Sequence, residues 1–356
     1  MIPHRKNMAL VGASAALIAL VGSIPASADE KSGWSTPEVA HISGDELMNA
    51  QDSSVDGRAS NASGRLESFL DEQAKLGNLL DASEVESASI KNPLDGRKID
   101  IVWSDALRPT EMNLSSREGP KENVAAGMGI AVSNNPEVEQ DKAPASTATG
   151  AGYGSGTPNG MYLQANDCLT AYYEPQFESE DDHHMVTCYE KFAESGTREW
   201  VYNRWSLWTT AQIGDGGIDG KAVPIDYTIR SRPWRGTSGR ISKMNDFAPR
   251  SPETNCSPGA SFTLGYAGSG VTIPMENCEG VKTLPDTGAK SMGVDWDPGN
   301  NNAVQLGLDF GMQVTARDSE VVPTWADYVW AEVQSCGIIC TPLDPSYSYV
   351  HTDSGW

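Results

Sequence analysis

Apolar and polar residues alternate with a period of two through the second half of the chain, and that period belongs to β-strands. Val304, Leu306, Leu308, Phe310, Met312 and Val314 share one side of such a run, with Gln305, Gly307, Asp309, Gly311, Gln313 and Thr315 between them. Val223, Ile225, Tyr227 and Ile229 repeat the device against Asp226, Thr228 and Arg230. Phe262, Leu264 and Tyr266, then Val271, Ile273 and Met275, flank Ala267-Gly268-Ser269-Gly270, which is the pattern of a β-hairpin. Further strands are expected over 160–165, 184–192, 199–213, 290–296 and 325–334. Eight or more strands in about 200 residues, with Gly and Pro between them, predict an all-β fold: a disulfide-braced β-sandwich or jelly roll.

The first half reads differently. Leu66, Phe69, Leu70, Leu76, Leu79 and Leu80 fall at helical spacing after an Asn61-Ala62-Ser63 start signal, so one helix is expected over 65–80. One strand is expected over 98–103. The rest is rich in Ser, Asp, Glu and Asn, and its apolar content is too thin for a core of its own. Residues 142–159 are a Gly/Ser/Ala linker. Residues 29–141 therefore read as a largely irregular N-terminal segment, either a propeptide or spacer or a piece that docks on residues 160–356. The latter stretch holds all six Cys and most of the Trp and Tyr.

Composition narrows the function classes. The 356 residues carry 48 acidic and 26 basic side chains, a formal net charge of −22. Such an excess argues against nucleic acid as a partner, because phosphate affinity needs clustered Lys and Arg. At the N-terminus, His4, Arg5 and Lys6 precede an apolar run from Met8 to Val21, and Pro25-Ala26-Ser27-Ala28 presents small residues at a cleavage point. Residues 1–28 are thus read as a secretory signal peptide, the run being shorter than the roughly 20 residues of a membrane span. The expected location is extracellular, with no transmembrane segment; the oligomeric state is not legible. Leu284-Pro285-Asp286-Thr287-Gly288 spells a sortase-type signal but lacks a following apolar stretch and basic tail, and is read as a turn. Six cysteines in an exported chain imply three disulfides, most simply Cys168–Cys188, Cys256–Cys278 and Cys336–Cys340. Closing a loop of about 20 residues stabilises a fold by roughly 3 kcal/mol in the chain-entropy model.

Candidate chemistry is sparse. In the strand at 199–213, Val201, Trp205, Leu207, Ala211 and Ile213 read as core, which puts Trp200, Tyr202, Arg204 and Trp208 on the opposite side. Aromatic rings beside an Arg suit a sugar ring or a protein partner. Arg232, Trp234 and Arg235 form a second aromatic–basic group, with Arg230, Arg240 and Lys243 close by. Arg forks match carboxylates and other oxyanions, although these cations can equally pair with the surplus acids. Asp295, Asp297 and Asn300 form a weak Ca²⁺ candidate in an Asp/Asn/Gly turn; no other cofactor is expected. Asp181-Asp182-His183-His184 reads as a solvated charge run rather than a Zn site. No G-x-S-x-G motif occurs, so nucleophilic catalysis finds no support. Were the chain a glycoside hydrolase, its carboxylates would be Asp309 and Glu332.

The preferred reading is a secreted, non-catalytic protein that binds an extracellular glycan or protein partner. A glycan hydrolase is the alternative, followed by a pore-forming β-protein built on strand 302–316, which would need a second long strand joined to it as a hairpin. Export is expected to remove residues 1–28 and leave Asp29 first. The intact mass of the secreted chain checks this.

Overall fold

The computed structural model describes residues 38–54, 59–75, 79–94, 96–104, 109–118, 126–134, 161–175, 181–211, 221–250, 260–266, 269–275, 281–296, 305–319 and 321–336. The chain begins with β1 (Glu38–Ser43), α1 (Gly44–Ser54) and α2 (Ala59–Lys75). Then come β2 (Val85–Lys91), β3 (Lys98–Ser104), β4 (Pro109–Glu118) and β5 (Ala126–Asn134). Next are β6 (Met161–Tyr173), β7 (His183–Glu194), β8 (Glu199–Thr209), β9 (Lys221–Pro233) and β10 (Ile241–Ala248). A hairpin, β11 (Ala260–Tyr266) and β12 (Ser269–Met275), leads to β13 (Val281–Thr283), β14 (Met292–Trp296), β15 (Gln305–Ala316) and β16 (Trp325–Cys336).

The fold is all-β, as the period-two pattern predicts. Two seven-stranded antiparallel sheets account for all but the hairpin. Sheet 1 runs β1-β4-β5-β16-β9-β14-β13, and sheet 2 runs β10-β15-β8-β7-β6-β3-β2. Their facing sides share one core, with Tyr227, Ile229, Val294, Trp325 and Val329 from sheet 1 meeting Ile101, Trp103, Tyr202, Trp208 and Phe310 from sheet 2. Burial of apolar area at about 25 cal/mol per Å² makes that seam the main stabilising feature.

The N-terminal half is built into this sandwich. Strands β1, β4 and β5 belong to sheet 1 and β2 and β3 to sheet 2, so a break at residue 142 would strip five of the fourteen sheet strands. The expected spacer boundary is therefore not a structural one. Sequence pattern missed β2, β4 and β5 because their apolar positions are filled by Ala, Met and a few Ile or Val among Ser and Gly. Little side-chain area marks them as strands; their partners do.

Helix α2 starts earlier than its leucine spacing predicts and lies on the outer side of sheet 2. Phe69 is fully buried there with Val102, Val186 and the Cys168–Cys188 disulfide. Arg65 forms ion pairs with Asp100 and Asp182, and its guanidinium lies 4.9 Å over the Tyr172 ring. Tyr172 in turn stacks on His184 at 4.8 Å, and His184 Nε2 is 3.5 Å from Glu72 Oε1. Sheet 2 is consequently apolar on both sides, the condition under which simple in/out alternation fails.

One ionic contact crosses the core. Arg204 of β8, with no exposed side-chain surface, pairs with Asp327 of β16. Arg204 also donates to Thr187 Oγ1 from Nε at 3.0 Å and from Nη2 at 2.6 Å, and Nη1 donates to Ser231 Oγ at 3.3 Å. Asp327 accepts from Tyr202 Oη at 2.8 and 2.9 Å and from Ser231 Oγ. Removing one member leaves the other charge buried without its partner. Asp327→Asn and Arg204→Met should each lower unfolding free energy by about 3 kcal/mol. The double variant Arg204→Met/Asp327→Leu should recover most of that loss in urea denaturation.

Candidate functional site

The aromatic–Arg face of β8 is inside the protein. Trp200, Tyr202, Arg204 and Trp208 are all buried between the two sheets, Trp208 completely. Tyr202 stacks on Trp325 at 4.2 Å, and Trp208 lies 5.5 Å from the His183 ring. The expectation of an open recognition face there is thus corrected. The alternate positions Trp205 and Leu207, expected in the core, instead pack on the outer cluster beneath α2. Both sides of β8 are covered, and a strand covered twice does not betray which side is inner. Arg204 made this side look wet; its pairing with Asp327 is what allows it to be dry.

The proposed carboxylate pair is not assembled on one sheet. Asp309 lies in β15 of sheet 2, Glu332 in β16 of sheet 1, and no pairing joins the two strands. Asp309 is also 5% exposed, in a strand that the β11–β12 hairpin lies against. Strand β15 is paired on both edges, by β10 and β8, rather than joined to a second strand as a free hairpin.

Of the Ca²⁺ candidates, Asp295 accepts a hydrogen bond from Thr228 Oγ1 across β14 and β9, while Asp297 and Asn300 lie outside the described residues. No group of three His, Cys, Asp or Glu suited to a metal ion occurs among the described residues. Cys168 and Cys188 are directly opposite in β6 and β7 and form a disulfide. For the expected pairings Cys256–Cys278 and Cys336–Cys340, Cys256, Cys278 and Cys340 lie outside the described residues. The 284–288 turn connects β13 to β14 and is closed by paired backbone bonds between Asp286 and Ser291, with Asp286 Oδ1 accepting from Ala289 N–H at 2.8 Å. The Asp181–His184 run is not a solvated stretch: Asp182 pairs with Arg65, and His183 is fully buried.

The second aromatic–basic group occupies a different place. In β9, Tyr227, Ile229 and Ser231 are buried, whereas Thr228, Arg230 and Arg232 keep partial exposure on the alternate, outer side. Register sets Arg232 opposite Ala326, Arg230 opposite Tyr328 and Thr228 opposite Trp330. Arg230 Nε donates to Ser291 Oγ at 3.0 Å, and its side chain crosses β14 at Gly293. A Cβ at Gly293 would come within 2.8 Å of Arg230 Cγ and 2.7 Å of the Ile229 carbonyl, so only glycine fits beneath that arginine. Trp234 is held at the strand end by its N–H, which donates to the Thr324 carbonyl at 3.0 Å. Arg235 then opens a 3-10 turn, Arg235–Arg240, that carries the chain from sheet 1 to sheet 2.

That crossing brings the chain at Arg240 to two cations the sequence pattern did not single out, Arg198 and Arg317. Ala316 N–H donates to the Arg198 carbonyl at 2.8 Å, and Arg317 N–H to the Arg240 carbonyl at 2.6 Å. Arg198 Nη1 donates to the Arg317 carbonyl at 3.1 Å. Arg198, Arg240 and Arg317 thus meet at the end of the sandwich where β9 also terminates. No spacing signal links residues 119 positions apart; only the β8–β15 pairing does.

No protein-family model matches the chain, and no curated protein matches it in sequence. Among solved structures it is similar to Clostridium perfringens delta-toxin, with a TM-score of 0.28 and 9% identity over 56% of this chain and 92% of the toxin chain.

Next to the buried aromatic layer, His183 Nδ1 accepts from Ala211 N–H at 3.0 Å. Burial, then the Arg97 charge, pushes its pKa down from 6.5 to about 3. The unfolded chain therefore binds a proton that the native one refuses, so this group's contribution falls as pH drops below about 6.5. Between pH 6.5 and 5 the loss is about 2 kcal/mol. His183→Gln should flatten the pH dependence of stability by roughly that amount relative to the wild type, measured by urea denaturation across the interval.

Proposed function

We propose that the protein is a secreted, non-catalytic binding protein that recognises an extracellular glycan or protein partner through the outer side of β9 and the turn that follows it. The observation that carries this reading is the register of β9 on β16, which sets Arg230 opposite Tyr328 and places Arg232 and Trp234 at the end of the same ladder. Arg230, Arg232 and Trp234, all half-buried at alternate positions, suit the mixed apolar and oxygen-rich surface of a sugar or a protein loop. The earlier candidate face on β8 is occupied by the core, so β9 carries the surface role alone. Separation of Asp309 and Glu332 onto different sheets supports a binding role over paired-carboxylate hydrolysis.

Sedimentation with insoluble polysaccharides and cell-wall preparations tests the reading. Trp234→Ala and Arg232→Gln should each weaken binding by about 30-fold, the scale of an interface hot spot, with thermal stability unchanged. Release of reducing sugar by the wild-type protein would overturn the non-catalytic assignment, and dye leakage from liposomes would overturn both binding readings.

A further inference from the structure

We propose that helix α2 is a proton-controlled cover on the outer side of sheet 2, seated more firmly in mildly acidic than in neutral surroundings through His184 and Glu72. This property is separate from the β9 surface and does not depend on it. Arg65, Phe69, Glu72 and Gln73 recur at helical spacing on the side of α2 that meets the sheet. Among the described residues of α2, Phe69 is the fully buried apolar side chain, and it lies over Val102, Val186 and the Cys168–Cys188 disulfide. A helix held by one aromatic and a few ions sits at the low end of local stability, where a modest electrostatic change shifts the closed fraction.

The charges beneath the helix balance only with an added proton. Arg65 reaches Asp100 and Asp182, and Lys98 Nζ lies 2.7 Å from Asp100 Oδ2. Glu72 brings a third carboxylate, with Oε1 3.5 Å from His184 Nε2. Two cations therefore face three carboxylates while the imidazole is neutral, and a proton on His184 evens the sum. Glu174 and Asp181 add further negative charge around Asp182. The register partners of His184 are Tyr172 of β6 and Thr209 of β8. Neither supplies charge, since burial pushes the Tyr172 phenol well up. His184 Nε2 and Glu72 Oε2 are both buried and make no hydrogen bond to the described residues. The two side chains as a whole keep 19% and 24% exposure, so the pair is not fully desolvated and retains a net attraction.

Proton linkage sets the direction. Histidine side chains take up a proton near pH 6.5, and the imidazolium has Glu72 beside it only while α2 is seated. The seated state therefore binds protons more readily than the lifted one, and its share rises as pH falls. Asp182 acts the same way at lower pH, because burial holds its pKa above the ordinary carboxylate value in spite of Arg65 and Lys98. His183, one residue away, has the opposite sign. It faces the core, where burial keeps it unprotonated, so acid weakens the sandwich while it tightens the helix. Neighbouring histidines on opposite sides of β7 thus separate local opening from global unfolding.

The test is hydrogen exchange of the full mature chain at about pH 5.5 and 7.5, either side of the histidine range, with rates corrected for intrinsic amide exchange. Amides of α2 from Arg65 to Gln73 should exchange about fivefold more slowly at the lower pH, the scale of one partly buried ion pair. His184→Gln and Glu72→Gln should each bring that ratio below about twofold, and the double variant should go no further. His183→Gln should keep the wild-type ratio while changing the urea profile. A wild-type ratio of about one or less, or a ratio unchanged by both His184→Gln and Glu72→Gln, would overturn the inference. So would α2 amides that open only together with those of β6 and β7 at both pH values, or a ratio that His183→Gln alone abolishes.

Discussion

The contact between Arg204 and Asp327 is the constraint around which the sandwich is organised. Taking both ions out of water costs several kcal/mol each, and their attraction offsets this only with good geometry and satisfied hydrogen bonds. Thr187 and Ser231 take up the remaining guanidinium donors, and Tyr202 and Ser231 donate to the carboxylate. A slip of one residue in β8 would move Arg204 to the outer side and leave Asp327 facing apolar rings. The pair therefore sets which side of β8 faces β9 and β16. Tyr202 and Trp325 stack beside it, and the aromatic layer follows from that choice.

Covering sheet 2 on its second side has a different cause. Helix α2 contributes a single deeply buried aromatic, Phe69, and is held by the ion pairs of Arg65 with Asp100 and Asp182, while Glu72 lies against the His184 ring. Asp182 is desolvated there, which raises its pKa above the ordinary carboxylate value, while Arg65 and Lys98 pull it down. Docking is thus a compromise between apolar gain and the burial of ions. Beneath it the Cys168–Cys188 disulfide joins adjacent strands and restricts the unfolded chain in the region the helix must find.

Several arginines gather where the chain crosses between sheets. The segment from Arg230 to Lys243 supplies most of them in sequence, and the turns after β7 and β15 add Arg198 and Arg317. Gly293 allows Arg230 to lie flat across β14, so the cations at the strand end continue along the outer side of β9.

Sequence alone determined the fold class, since alternation in β9, β15 and the β11–β12 hairpin is a local property that survives without knowledge of neighbours. The Cys168–Cys188 bridge and the turn at 284–288 were legible for the same reason: each joins residues close along the chain. Tertiary structure decided the rest. Period two says that two sides differ but not which is buried once both are covered, so Trp200, Tyr202, Arg204 and Trp208 were placed on the wrong side of β8. The Ser- and Gly-rich strands β4 and β5 become strands through their partners rather than their own side chains, which is how an apparent spacer joins sheet 1. The arginines at the sandwich end are brought together by pairings between strands more than 100 residues apart, a relation that no local pattern encodes.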